Sequence, residues 1–216
     1  MEIDKTTCWY NNTTTPSEMI SGAKGELWPV LKNSDHFPVL HDLMMSSANS
    51  SSMILDIGCG AAELSRVYKM GFYTGVDLPH IIDNVARKMH PQNNYISFDV
   101  YDSSSDDSFI SEYDVIVMNA FIDVLEKPVL ALERILSKAK GKVILHRQTW
   151  HDDKPTHLSK HSSYGGTSYQ SIINRMEAVE LFDKNGFKIK IEHIINYDKQ
   201  LGYSTSILLE KNNEVR

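Results

Sequence analysis

The residues best suited to chemistry in this 216-residue chain sit at the ends of short apolar runs. Ile54-Leu55-Asp56-Ile57-Gly58-Cys59-Gly60 reads as a strand that enters a glycine turn and then a helix, the place where an open α/β sheet accepts a nucleotide-like ligand. A dinucleotide site would carry a third glycine three residues after Gly60; Glu63 stands there instead, and its carboxylate would repel a diphosphate. A cationic ligand suits the turn better on charge alone. S-adenosylmethionine (SAM) carries a sulfonium and an ammonium and no phosphate, and Asp56 is expected to meet the ammonium through water. The next run ends in Gly75-Val76-Asp77-Leu78, with Asp77 lying 17 residues after Gly60, about the spacing at which such folds grip a ribose diol. Phe98-Asp99-Val100 offers a carboxylate to an adenine amino group, with Val100 beside the ring, and Asn119 is expected near the methionine part. The expected cofactor contacts are therefore Asp56, Gly58, Cys59, Gly60, Asp77, Leu78, Asp99, Val100 and Asn119.

Transfer of a methyl group is an in-line displacement at carbon, so the site must align nucleophile, methyl and sulfur and exclude water. An alcohol acceptor also needs a general base. Asp123 follows Asn119 by four residues; its plainer role is to cap a helix beginning near Glu126. His146, His151, His157 and His161 place four of the nine histidines within sixteen residues, and His146 and His151 are the preferred bases. Their spacings match no standard zinc pattern, so no metal is expected, a divalent ion orienting a diol being the alternative use. Arg147 suits a carboxylate or phosphate on the acceptor, or equally a salt bridge at the sheet edge. Tyr164 and Tyr169, around Gly165-Gly166, read as an acceptor lid or as ordinary loop packing. Trp9 and Trp28 either close over the cofactor or only pack the lead-in.

These residues need a scaffold, and the pattern supplies one. Strands are expected over 54–57, 72–78, 95–100, 113–120 and 142–146, alternating with helices over 36–45, 61–70, 79–90 and 128–140. Residues 148–171 read as a long irregular segment before a helix over 174–184. Two last strands, 187–196 and 204–209, are joined by too few residues for a crossover helix, which makes them antiparallel neighbours. The expected architecture is an α/β, Rossmann-like, seven-stranded, mostly parallel sheet with an antiparallel last strand and helices on both faces. Residues 1–52 form a helical lead-in or cap closed by a serine-rich connector. Residues 53–216 form the cofactor domain, with an acceptor lid near 148–171, in one domain overall.

In order and spacing, from Met53 to about Leu209, these motifs resemble those of the class I SAM-dependent methyltransferases. A fainter resemblance is to methyltransferases encoded in polysaccharide and glycan biosynthesis clusters, some of which occur beside glycosyltransferase domains. It is carried by Phe37-Pro38-Val39-Leu40, by His146-Arg147-Gln148-Thr149 and by the segment from Ser163 to Tyr169. That second resemblance implies O-methylation of a sugar or glycan hydroxyl, for example of a deoxyhexose such as rhamnose, and a domain taken from a larger glycosyltransferase.

Composition sets the limits. Hydrophobic residues at 41% and charged residues at 23% fit an ordinary globular chain. A formal charge of −6 supplies no general field for phosphates, so no nucleic-acid partner is expected. No membrane span or secretory signal is read, and a cytoplasmic location is expected. Cys8 and Cys59 read as reduced thiols. A sugar or glycan acceptor is the leading reading and another small metabolite, methylated on N or O, the second. A non-catalytic SAM-binding regulatory module is the reading from a different class; RNA methylation and NAD-dependent chemistry rank below these.

Overall fold

The computed structural model describes residues 3–11, 13–24, 34–68, 71–198 and 202–212. Its strands are β1 Met53–Ile57, β2 Phe72–Asp77, β3 Asn94–Ser97, β4 Val115–Asn119, β5 Lys142–His151, β6 His157–Ser163, β7 Gly166–Asn174, β8 Phe187–Asp198 and β9 Gly202–Lys211. The helices are α1 Thr14–Lys24, α2 Phe37–Ser47, α3 Leu64–Val67, α5 Pro128–Lys138 and α6 Arg175–Lys184. Between α3 and α5 lies α4, continuous through Pro79–Ile81, a π turn Ile82–Ala86 and Arg87–Met89.

β1 and β4 are almost wholly apolar because both faces of the sheet are covered. Leu55, Ile57, Ile116 and Met118 pack with Leu132, Ile135 and Leu136 of α5 and Leu181 and Phe182 of α6. On the opposite face, Ile54, Val115, Val117 and Ile144 meet Leu40, Leu43 and Met44 of α2. α5 starts with Pro128 at its first position and buries Ala131, Leu132, Ile135 and Leu136, a stripe at helical spacing. The Asn174 side chain caps α6 by accepting the Glu177 N–H.

The sheet runs β3-β2-β1-β4-β5, parallel throughout, and continues through β9, antiparallel to β5, to β8. From β1 the chain moves outward to β2 and β3, then returns to β4 on the other side. That reversal opens a crevice at the carboxyl ends of β1 and β4.

The α/β architecture is the one expected, with two additions. Residues 148–171 are not irregular: β5 extends to His151, and β6 and β7 form an antiparallel hairpin, with Trp150 and His151 pairing parallel to Ile173 and Asn174. The described residues thus carry nine strands. β6 escaped a periodicity reading because it is an exposed edge of His, Ser and Lys residues with almost no apolar side to bury. The helix expected over 61–70 shrinks to α3, since Ala62 is still in the turn at φ +57°; its expected end, Met70, lies outside the described residues. No helix among the described residues is long and apolar enough to cross a membrane.

Candidate functional site

The glycine turn is built to let backbone approach a ligand. Gly58 takes φ +76° and Gly60 φ +52°, a region that costs glycine nothing. The N–H groups of Gly58 and Cys59 both donate to Val76 O. Gly60 N–H donates to Asp77 Oδ2 at 2.8 Å, and Leu78 N–H to Asp77 Oδ1 at 2.8 Å. The turn after β1 and the end of β2 therefore clamp each other. Burial pushes the Asp77 carboxyl up to about 6, against the pull of these two bonds. A Cβ on Gly60 would meet no atom within 4 Å, so the turn faces open space. A Cβ on Gly58 would stand 2.3 Å from the Phe121 ring, which packs directly on the turn.

One cavity joins these groups to the ends of the neighbouring strands. Gly58, Gly60, Asp77, Leu78, Asp99, Val100, Asn119, Arg147, Tyr164 and Tyr169 all line it. Three of the lining residues stand out by backbone. Ala120 at φ +49°, Arg147 at φ +61° and Tyr164 at φ +45° all occupy the left-handed region without being glycine. Each such residue costs about 1–3 kcal/mol and persists only where its surroundings hold it, a cost that concentrates at functional sites. Arg147 sits in the bulge between His146 and Gln148. Its Nε donates to Asn119 Oδ1 at 3.3 Å.

The cavity has a roof. Asp4 N–H donates to Glu126 Oε2 at 2.7 Å, and Tyr169 OH donates to Asp4 Oδ2 at 3.1 Å. The Tyr10 hydroxyl donates to Asp99, 3.3 Å from Oδ2. The Trp9 and Tyr164 rings lie 5.4 Å apart. A Cβ on Gly165 would stand 2.4 Å from Cγ2 of Thr14, and one on Gly166 3.1 Å from Cβ of Cys8, so only glycine lets the hairpin tip meet the N-terminal segment this closely.

Several expected site residues stand elsewhere. Asp56 is on the other face of β1, where its carboxylate accepts from Tyr73 OH at 2.7 Å and burial raises it to about 7. The Cys59 thiol packs against Gly75, beneath the turn, and does not line the cavity. His146 is buried on the face opposite the cleft, with Nδ1 beside Ser206 Oγ at 2.5 Å and Nε2 3.2 Å from His36 Nδ1. Strand alternation and the bulge turn Arg147 into the cavity and His146 away from it. Burial, Arg147 and His36 together lower His146 to about 3. His151 lies outside the cavity, its Nδ1 accepting from the N–H groups of Asp153 and Lys154.

Asp123 belongs to the one-turn 3-10 helix Ile122–Val124 and does not itself line the cavity, although Phe121 and Val124 do. Its Oδ1 is buried without a hydrogen-bond partner. Burial raises it to about 6, offset by the charge of Arg147. Trp28 lies outside the described residues. No group of three or more His, Cys, Asp or Glu side chains able to hold a metal occurs among the described residues.

Sequence reasoning missed Asp4, Tyr10, Phe121 and Glu126. The aromatic lead-in was a signal for Tyr10, but nothing local to it points to Asp99, 89 residues away.

The family described as "Methyltransferase domain" matches residues 35–191, a span that holds the glycine turn, Asp77, Asp99, Asn119 and Arg147. A curated relative, a malonyl-[acyl-carrier protein] O-methyltransferase from Halalkalibacterium halodurans, is 30% identical over 143 residues, 62% of this chain and 52% of the relative. The chain thus spans about half the length of that relative. Among solved structures, the 1,6-didemethyltoxoflavin-N1-methyltransferase of Burkholderia thailandensis, with 1,6-didemethyltoxoflavin and S-adenosylhomocysteine (SAH) bound, is similar at TM-score 0.59 and 15% identity, covering 93% of this chain and 88% of that one. An amino pentose methyltransferase from Micromonospora echinaspora, with SAM bound, is similar at TM-score 0.54 and 13% identity, covering 83% and 92%. The chain belongs to the methyltransferase domain family, with the Rossmann-like fold of class I SAM-dependent methyltransferases.

Proposed function

We propose that this chain is a SAM-dependent methyltransferase whose acceptor is a small molecule, with a sugar or glycan hydroxyl as its class. The observation that carries the reading is a single roofed cavity running from the acidic ends of β2 and β3 to Arg147 on β5. The donor set fits the cofactor: two carboxylates, Asp77 and Asp99, at neighbouring strand ends, an open glycine turn, and Glu63 where a dinucleotide site would carry glycine. Asp77 is assigned the ribose diol and Asp99 the adenine amino group, with Gly58, Gly60, Leu78, Val100 and Asn119 completing the pocket. When bound, SAM supplies an electrophilic methyl group on a sulfonium.

The protein's share of the work is position, dryness and one proton. The roof of residues 3–11 and the β6–β7 hairpin excludes water, which also strengthens every electrostatic contact beneath it. Residues 3–11 act as a cap and the hairpin as the acceptor lid. Asp123, which lies behind the wall formed by Phe121 and Val124, is assigned the role of base through one bridging water: a carboxyl raised to about 6 is both ionised and basic enough near neutral pH. The Trp9 and Tyr164 rings suit the flat apolar face of a sugar, and the amino pentose acceptor of the Micromonospora relative is in keeping with that class.

The test is transfer of labelled methyl from SAM to a panel of sugars and non-sugar metabolites. Turnover on hydroxylated sugars alone supports the acceptor class. Turnover confined to amines or heterocycles moves the chain to the small-metabolite reading, and SAM binding without turnover on any acceptor favours a regulatory module.

A further inference from the structure

Among the described residues that line the cavity, Arg147 is the sole cation; Asp4, Asp77, Asp99 and Glu126 are its acids. The acids already have donors. Asp4 accepts from Thr6 and Tyr169, Glu126 from the Asp4 N–H, Asp77 from the Gly60 and Leu78 N–H groups, and Asp99 from the Tyr101 N–H. Arg147 is treated differently. Its one hydrogen bond among the described residues is to a neutral amide oxygen, Asn119 Oδ1, at the long distance of 3.3 Å, and it forms no ion pair there. Asp123 influences it electrostatically without making a salt bridge, and keeps a buried oxygen unpartnered. A half-buried guanidinium that lines the cavity and makes one long hydrogen bond keeps N–H groups for a partner that the protein does not supply. The bulge and the left-handed backbone at Arg147 aim that side chain into the cavity.

We infer that Arg147 is the docking point for an oxyanion, a carboxylate or a phosphate, carried by the methyl acceptor. This rests on the methyl-transfer reading above and narrows its acceptor class to acidic molecules, such as a uronate or a sugar phosphate. A planar guanidinium with free N–H groups matches either oxyanion in two-point contact. Its place favours the acceptor. Arg147 projects from β5, which is separated from β2 and Asp77 by β1 and β4, three strand spacings or roughly 14 Å. Around it stand Tyr164 and Asn119, on the side of the cavity away from Asp77 and Asp99.

The experiment uses the whole chain and begins with calorimetric titration of SAH. The SAH-loaded protein is then titrated with malonate, with inorganic phosphate and with neutral malonamide, and the series is repeated on Arg147→Gln and Arg147→Lys. The expected result is binding of malonate or phosphate but not malonamide, weakened at least about tenfold by Arg147→Gln and less by Arg147→Lys, with SAH affinity within about twofold of the parent. Preference between the two anions tells a carboxylate acceptor from a phosphorylated one. Anion binding unaffected by Arg147→Gln, or absent from the SAH-loaded parent, overturns the inference. So does a tenfold loss of SAH affinity in Arg147→Gln, which would assign the arginine to the cofactor's own carboxylate. Failure of the parent to bind SAH is a different result: it removes the methyl-transfer reading itself.

Discussion

The backbone N–H of Gly60 donates to Oδ2 of Asp77 at 2.8 Å, so the glycine turn after β1 and the acid that ends β2 form one rigid edge of the cavity. Neither can move without the other. A ligand gripped by Asp77 is thereby held against a backbone that has no side chain in the way.

The fit of Phe121 on the turn gives the first prediction. Gly58→Ala sets a Cβ 2.3 Å from the Phe121 ring at a backbone angle that disfavours any side chain. Stability to denaturant should fall by about 1–3 kcal/mol, read from equilibrium unfolding. Adding Phe121→Ala should recover part of the loss, because it removes the collision and leaves only the backbone strain. Full additivity of the two changes would show that they do not touch.

Roof contacts should control the release of ligand more than the fold. Tyr10→Phe removes the hydroxyl that donates to Asp99, and Trp9→Ala removes the ring tilted against Tyr164. Each should raise the SAH dissociation rate by about 3- to 10-fold, measured by stopped-flow fluorescence. A loss of several degrees in Tm without any change in dissociation would mean that the segment only packs the core.

Asp123→Asn should reduce kcat by about 10²- to 10⁴-fold and leave SAH affinity unchanged. The pH profile is the sharper readout. The base must be ionised to work, so the parent's activity should fall as pH drops through about 6, and the residual activity of the variant should not follow that curve. An unchanged profile would return Asp123 to a structural role beside Arg147.

His146 should act on stability and not on catalysis. Held near 3 in the fold and near its ordinary value of 6.5 when unfolded, it leaves the unfolded chain binding the extra proton between those pH values. Stability is therefore unaffected by this group above about 6.5 and falls by up to about 1.4 kcal/mol per pH unit as pH drops towards 3. Asp56, raised to about 7, has the opposite sign: the fold keeps its proton, so its contribution grows as pH falls from 7 towards 3.8. The two largely oppose each other in the parent. His146→Gln removes one of them, and its stability should rise relative to the parent's as pH falls from 6.5 to 5 in parallel urea titrations. Identical slopes would contradict a buried neutral histidine.

Much of the scaffold was readable because apolar runs and turn residues speak locally. That Asp77, Asp99 and Asn119 would line one cavity was legible from their positions at or just beyond strand ends, and a strand end is marked by where an apolar run stops. His146 was misread for a reason of register: a bulge between His146 and Gln148 hands the cleft to Arg147, and a one-residue shift reverses which face a side chain takes. The β6–β7 hairpin was hidden because β6, a polar edge strand, shows no alternation to detect. The Tyr10–Asp99 and His36–His146 contacts join residues 89 and 110 positions apart, and no window of sequence contains both partners.

Calorimetric titration of SAH into the parent and into Asp77→Ala tests the central claim most directly. The account predicts micromolar binding to the parent and a loss of at least about tenfold in the variant, with the far-ultraviolet circular dichroism of both alike. No binding to the parent, or equal binding to both, would contradict the assignment of this cavity to the cofactor.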